Sequence, residues 1–320
     1  MSKATECSAP IMRQADDFAV SVLDGLSRPK KSLPCRFFYD AKGSALFEDI
    51  TRQPEYYPTK TEVGILTANA IQMLEGALGE TVLVEFGSGS SIKTEILLRH
   101  MRRLHAYVPI DISESALADA RRRLAGRFAG LDIQLLLADF SHPIELPPEL
   151  AERPKLGFFP GSTIGNFMPA EATQLLRAMR ETLSPHGKLI IGVDLKKDVR
   201  QLVAAYNDAN GVTAAFNLNL LVRINRELDG TFDLQAFRHA ANYEPFEGRI
   251  EMHLVSVKDQ DVWVGGQKFR FRAAETIHTE SAYKYTIEEF HLIAQAAGWT
   301  PLRVWKDDLN LFSVHELVAP

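Results

Sequence analysis

The sequence predicts an α/β fold in which a mostly parallel, doubly wound sheet is interrupted by an inserted α+β segment. Two observations carry this expectation. Between Thr81 and Val193 short apolar runs alternate with stretches of helical spacing, the rhythm of parallel strands joined by crossover helices. After Asp194 the rhythm stops, turn-rich runs take over, and alternation resumes only at Thr286.

The elements follow in order. Residues 1 to about 30 are mixed and polar, with an amphipathic helix expected over 16–26. Phe37-Phe38-Tyr39-Asp40, Gly43-Ser44-Ala45-Leu46-Phe47 and Pro54-Glu55-Tyr56-Tyr57-Pro58 crowd aromatics among turn formers, and loops of that composition often build binding surfaces. Residues 82–86 form a first strand ending in a glycine turn, with a helix expected over 93–103. Strands at 107–111, 132–137, 156–159 and 188–193 follow, separated by a helix from Ser113 to about Arg127 and another opening at Pro169. Proline suits the first turn of a helix, and Pro185-His186-Gly187 closes this one. From about 195 to 279 the chain begins helical, then offers strands at 232–237, 250–257, 262–264 and 269–273. Hairpin turns are expected at Asp229-Gly230 and Gly265-Gly266, dipeptides that tolerate positive φ. Thr286-Ile287-Glu288-Glu289 is a capping box opening a helix to about Ala297, and strands at 302–305 and 311–317 complete the first sheet. The expected domain limits are 1–58 for a segment joining the substrate-binding domain, 59–195 for the cofactor-binding core, 196–281 for the insert and 282–320 for the completion of the core.

Composition narrows the function classes. The 320 residues are 46% hydrophobic and 24% charged with a formal net charge of -5, the mix of a globular protein without a basic field for nucleic acid or an anionic membrane. Arg121-Arg122-Arg123 is read as a solvated helix face. The two cysteines, Cys7 and Cys35, form no C-x-x-C pair, and the nine histidines show no H-x-x-x-H spacing, so no metal site is expected. No apolar run reaches the ~18 residues that span a bilayer and no secretory leader is recognisable, so a cytoplasmic, monomeric protein is expected.

Ligands of a doubly wound sheet bind beyond the carboxyl ends of its strands, where three features fall. Glu85-Phe86-Gly87-Ser88-Gly89-Ser90 ends the first strand, and its glycines allow close approach of the backbone to a ligand. Asp111 ends the second, where a carboxylate can accept both hydroxyls of a ribose. Asp139-Phe140 ends the third, setting an acceptor and a ring beside an adenine. A dinucleotide site would want G-x-G-x-x-G, whereas the third glycine position holds Ile92, and no G-K-[ST] phosphate loop occurs. An adenosyl ligand without phosphates fits best, which points to S-adenosylmethionine (SAM). Met252 and the tyrosines would, taken singly, read as core filler.

Further strings are specific. Phe38-Tyr39-Asp40, Pro54-Glu55-Tyr56-Tyr57-Pro58-Thr59, the glycine loop, Phe159-Pro160-Gly161-Ser162-Thr163-Ile164-Gly165-Asn166 and Thr279-Glu280 together resemble the histidine Nα-methyltransferases of ergothioneine biosynthesis, from about residue 30 to the C-terminus. The resemblance implies a Rossmann-like class I methyltransferase sheet with an inserted α+β substrate-binding domain. It also implies three successive methylations of the α-amino group of L-histidine, giving hercynine. Carried onto matching positions, the cofactor contacts would be Gly87, Lys93, Asp111, Asp139 and Phe140. Tyr56, Asn166 and Tyr206 would lie near the substrate carboxylate, Tyr39 near the amine as the catalytic residue, and Met252 and Glu280 near the imidazole. Methyl transfer needs a neutral amine held in line with the sulfonium methyl, so positioning would dominate, with the proton leaving to water or through Tyr39. One departure stands out: the family pattern Thr-Glu-x-Ser reads Thr279-Glu280-Ser281-Ala282 here, and in an extended segment Ser281 faces away from Glu280. Another amino acid or small amine as acceptor, and a non-catalytic SAM-binding protein, are the alternatives.

Overall fold

A computed structural model describes residues 11–77, 79–89, 92–101 and 103–319, with side chains from residue 17 onward; Cys7 and Ser90 lie outside the described residues. In chain order the elements are α1 (Ile11–Ser27), β1 (Lys31–Ser32), α2 (Ala41–Ile50), α3 (Tyr57–Met73), β2 (Val82–Phe86), α4 (Ile92–Leu98), β3 (Ala106–Asp111), α5 (Glu114–Ala125), β4 (Leu136–Leu137), β5 (Lys155–Phe159), α6 (Pro169–Thr182) and β6 (Lys188–Asp194). There follow α7 (Val199–Ala205), α8 (Val212–Glu227), β7 (Phe237–Glu244), β8 (Arg249–Ser256), β9 (Gln260–Val264), β10 (Gln267–Phe271), β11 (Thr276–Tyr283), α9 (Ile287–Ala296), β12 (Thr300–Lys306) and β13 (Phe312–Val318).

The chain divides into two compact units. The second comprises Thr51–Ala205, Tyr243–Ile250 and the chain from Ser281. Its seven-stranded sheet has the order β12-β13-β6-β5-β2-β3-β4. β2 runs parallel to β3 and β5, and β5 parallel to β6, while β13 pairs antiparallel with both β6 and β12. Alternate residues of each strand enter opposite cores, as a period of two demands. Val82, Val84, Phe86, Val108 and Ile110 pack with Leu175, Leu176 and Met179 of α6 and Phe290 of α9. Leu83, Tyr107, Leu156, Phe158 and Ile190 pack with Ile65 and Leu66 of α3, Leu97 of α4 and Leu124 of α5. The sheet is thus a Rossmann-like, doubly wound one covered on both faces, and strand order reverses between β2 and β5, where such sheets open a ligand crevice.

The first unit comprises the chain up to Ile50, Tyr206–Asn242 and Glu251–Glu280. Its strands contribute to a sheet ordered β1-β11-β8-β7, beside the two-stranded β9-β10 hairpin. Phe38 lies tilted against Phe216 of α8 with centroids 4.5 Å apart, and Phe232, Phe237 and Phe271 form an edge-to-face cluster.

Several sequence expectations shift. The first helix runs Ile11–Ser27 rather than 16–26. The third core strand shrinks to Leu136–Leu137, with one further bridge from Ile133 to Tyr107, because it lies on the sheet edge with β3 as its one neighbour. Residues 232–236 are not strand: the Asn225 amide donates to the Phe232 carbonyl and accepts from its N–H, both at 2.8 Å, tying the segment to the end of α8. Asp229-Gly230 therefore closes α8 instead of a hairpin, with the Gly230 N–H donating to the Ile224 carbonyl. No strand is assigned from the sequence over β11 (Thr276–Tyr283), although an extended segment around 280–282 is allowed for. Gly265-Gly266 does join β9 to β10, and Thr286 does cap α9 through the Glu289 N–H, with the Glu289 side chain accepting from the Thr286 N–H.

Candidate functional site

In the second unit the carboxyl ends of β2 and β3 hold the cofactor candidates together. Gly87 has φ +72° and Gly89 φ +44°, left-handed values that L side chains rarely adopt. Asp111 spans this turn and the next helix: its Oδ2 accepts from the Gly89 N–H at 3.2 Å and its Oδ1 from the Ser113 N–H at 2.9 Å. Burial pushes the Asp111 carboxyl up from its usual range, against the pull of those amides. The Phe140 ring stands edge-on to Phe86 and Phe159 at 6.4 and 5.6 Å and forms a wall against Gly87. Asp139 is exposed, its Oδ1 engaged by the Ser141 N–H. A glycine-lined turn, a carboxylate and an aromatic wall suit an adenosyl group without phosphates.

Beneath the turn lies Glu85, a buried carboxylate that accepts from Thr94 Oγ1 at 2.6 Å and from the Tyr107 hydroxyl. Burial, with the nearby Asp111 charge adding to it, pushes Glu85 up to about 8. The folded state then retains a proton that the unfolded state releases near pH 4.5, so this group's contribution is full below that pH and fades as pH rises through 8. The Tm advantage of the native protein over Glu85→Gln should accordingly shrink between pH 5 and 8.5, measured by calorimetry in matched buffers. Parallel Tm profiles would show that Glu85 ionises as it does in the unfolded chain.

Lys93, in the first turn of α4, points its ammonium at Glu62 of α3, 2.5 Å away. Asn166 ends a 3-10 turn, Thr163–Asn166, that follows β5 and is preceded by Ser162 at φ +56°. Gly165 within it has no room for a side chain: a Cβ would lie 2.7 Å from the Tyr283 carbonyl oxygen. Ser162 Oγ accepts from the Asp194 N–H at 2.9 Å, joining this turn to the end of β6. Tyr56 precedes α3, and its neighbour Tyr57 donates to the Asp194 carboxylate at 2.8 Å. Lys284 faces the same carboxylate at 2.7 Å, and Lys197 completes the group by pairing with Asp194 and donating to the Tyr57 hydroxyl. The two cations hold Asp194 below the usual carboxylate range despite its burial, while burial lowers Lys197 to about 8.

In the first unit, half-buried Tyr39 lies edge-on to Phe47 and Phe216, at 5.7 and 5.8 Å. Asp40 anchors its backbone: Oδ1 accepts from the Gly43 N–H and from Asn219 Nδ2, and Oδ2 from Arg226. Tyr206 follows α7, and its carbonyl accepts from His239 Nε2 at 2.8 Å. Burial lowers the His239 pKa, and the neutral ring accepts at Nδ1 from buried Asn217 at 2.9 Å. Met252 and Glu280 are both buried on the neighbouring strands β8 and β11, where Thr279 Oγ1 donates to the Met252 carbonyl. Burial first, and the Glu280 charge second, push the Cys35 thiol up to about 12. Because β11 remains a strand through Tyr283, Ala282 shares the side of Glu280 and Ser281 faces away.

Glu62, Asp194, Lys197, Lys284 and His239 escaped the sequence reading. Glu62 had a signal: Pro58, Glu62, Ile65, Leu66 and Met73 form the buried stripe of α3, and a carboxylate on an apolar stripe needs a partner. Asp194 repeats the pattern of Asp111, an acid closing an apolar strand. Among the described residues no helix is long and apolar enough to cross a membrane, and no three His, Cys, Asp or Glu side chains converge as metal ligands would.

Residues 18–319 match the family described as "Histidine-specific methyltransferase, SAM-dependent". The chain is 41% identical to the histidine N-alpha-methyltransferase of Mycolicibacterium smegmatis over 295 residues, covering 91% of each. It is 40% identical to the Mycobacterium tuberculosis protein of the same name, covering 92% of each. Similarity also extends to ergothioneine biosynthesis protein 1 of Neurospora crassa, at 28% identity over 88% of this chain and 33% of that one.

Proposed function

The chain belongs to the SAM-dependent, histidine-specific methyltransferases, and on that premise we propose that it trimethylates the α-amino nitrogen of L-histidine to hercynine, the opening step of ergothioneine biosynthesis. The 41% identity over 91% of both chains supports this most. SAM, the methyl donor of the family, supplies an activated sulfonium methyl, so the chain's own residues have to bind, orient and receive a proton. Asp111 would accept the ribose hydroxyls, Phe140 and Asp139 would flank the adenine, and the backbone at Gly87 and the ammonium of Lys93 would meet the amino-acid end.

For the substrate, the resemblance assigns Tyr56, Asn166 and Tyr206 to the carboxylate, to which each can donate. Glu280 would accept from the imidazole N–H, a charge-assisted bond when the ring is protonated, with Met252 against the ring. The Tyr39 hydroxyl would orient the amine and pass its proton toward water. After the third transfer the nitrogen has no lone pair, which ends the reaction. A monomeric protein of the cytoplasm belongs to the same reading, to be tested by gel filtration and cell fractionation.

Mass spectrometry of L-histidine incubated with enzyme and SAM should show the gain of three methyl groups; an unmodified substrate would overturn the proposal. A second reading, another amino acid as acceptor, is favoured by apolar Ala282 on the side of Glu280. Competition of tryptophan and tyrosine against histidine separates the two.

A further inference from the structure

The second unit contains a charged contact that joins two halves of the proposed chemistry. Glu62 is fully buried, and the Gly161 N–H donates to both of its oxygens at 2.9 Å. The Lys93 ammonium pairs with the same carboxylate at 2.5 Å. Two glycines make room for it. A Cβ on Gly192 would lie 2.1 Å from Glu62 Oε1, and one on Gly161, which has φ +88°, would stand 3.4 Å from Lys93 Nζ. Gly161 opens the turn that ends at Asn166, so one carboxylate holds a cofactor candidate by its charge and an amino-acid candidate's turn by its first amide.

We propose that Glu62 is a positioning residue that sets Lys93 for SAM and the 161–166 turn for the amino acid at the same time. This rests on the roles given above to Lys93 and Asn166. A buried ion pair contributes little net stability compared with an apolar replacement of the same shape. What the carboxylate does supply is geometry: its two oxygens hold the Gly161 N–H and the Lys93 ammonium on one group. With an amide in its place, one oxygen can still accept from Gly161, but an N–H then faces the ammonium and Lys93 turns away.

The test is Glu62→Gln in the full chain, with SAM, S-adenosylhomocysteine and histidine binding followed by calorimetric titration alongside steady-state kinetics. Losing the ion pair to Lys93, and the charge on the bond from Gly161, should raise the KM for SAM and for histidine about tenfold each. Lys93→Met should raise mainly the SAM value, and Glu62→Gln added to Lys93→Met should then raise the histidine value alone. Gly192→Ala, which crowds the carboxylate while leaving Glu62 in place, should reproduce the double KM effect and covers the case in which Glu62→Gln does not fold. Unchanged KM values with a lower Tm in either variant would reduce Glu62 to a stability role and overturn the proposal. The functional reading fails separately, through a native enzyme that binds no histidine; the S-adenosylhomocysteine titration still reads the Glu62–Lys93 half.

Discussion

Asp111→Ala should raise the KM and the dissociation constant for SAM by roughly a hundredfold or more, with kcat at saturating SAM far less affected. Two hydroxyls donating to one carboxylate would be lost together, each bond to a charged group contributing about 1.5–3 kcal/mol. The same change also releases the Gly89 and Ser113 amides that Asp111 now receives, so the glycine turn would lose its anchor. Asp111→Asn separates these effects, since an amide oxygen can keep one backbone bond but lacks the charge and the second acceptor. Calorimetric titration with S-adenosylhomocysteine reads both variants without turnover. Native-like affinity in Asp111→Ala would remove Asp111 from the cofactor site.

The largest loss of stability is expected at Asp194. Its carboxylate is 1% exposed and faces Lys197 and Lys284, whose side chains are 6% and 2% exposed. Asp194→Ala removes the negative charge that both ammonium groups share. Breaking a buried ion pair from one side costs about 3–5 kcal/mol, and at about 2–4 °C per kcal/mol for a domain of this size the Tm should fall on the order of 10 °C. The deficit should narrow as pH rises from 7 to 9.5. Lys197 sits near pKa 8 beside Asp194, and without the carboxylate it loses its proton more readily, which relieves its repulsion with Lys284. A deficit that stays constant over that range would trace the loss to packing instead. Because the Tyr57 hydroxyl loses its acceptor while Tyr56 is the next residue, the folded fraction should also show a raised KM for histidine.

How far these features could be read beforehand depends on how strongly local sequence dictates them. Strands β2, β3, β5 and β6 are almost wholly buried and apolar, so their limits were legible to within a residue or two. The placement of the turn at Gly87 and of the acid at Asp111 was legible because each closes an apolar strand. β11 was not: Thr276-Ile277-His278-Thr279-Glu280-Ser281 reads as polar, and it becomes a strand through pairing with β1 and β8, contacts far away in sequence. Glu280 could therefore be named from a motif but not placed. The Asp194 group adds Tyr57 and Lys284, from distant segments, to Lys197 three residues on, and the distant members leave no local pattern. His239 was hidden for the same reason, since its importance lies in the carbonyl it meets, that of Tyr206.

The antiparallel strand β13 has a consequence for biosynthesis. It pairs with β6 from Phe312 opposite Asp194 to Val318 opposite Lys188, so the hydrogen-bonding edge of β6 stays open while all of the insert is being translated. A ribosome that stalls within β7 to β11 would release a chain with an apolar strand edge bare, the kind of edge that recruits another chain. Slower translation between 195 and 311 would prolong that exposure, so synonymous codons that delay it should lower soluble yield without altering a single residue.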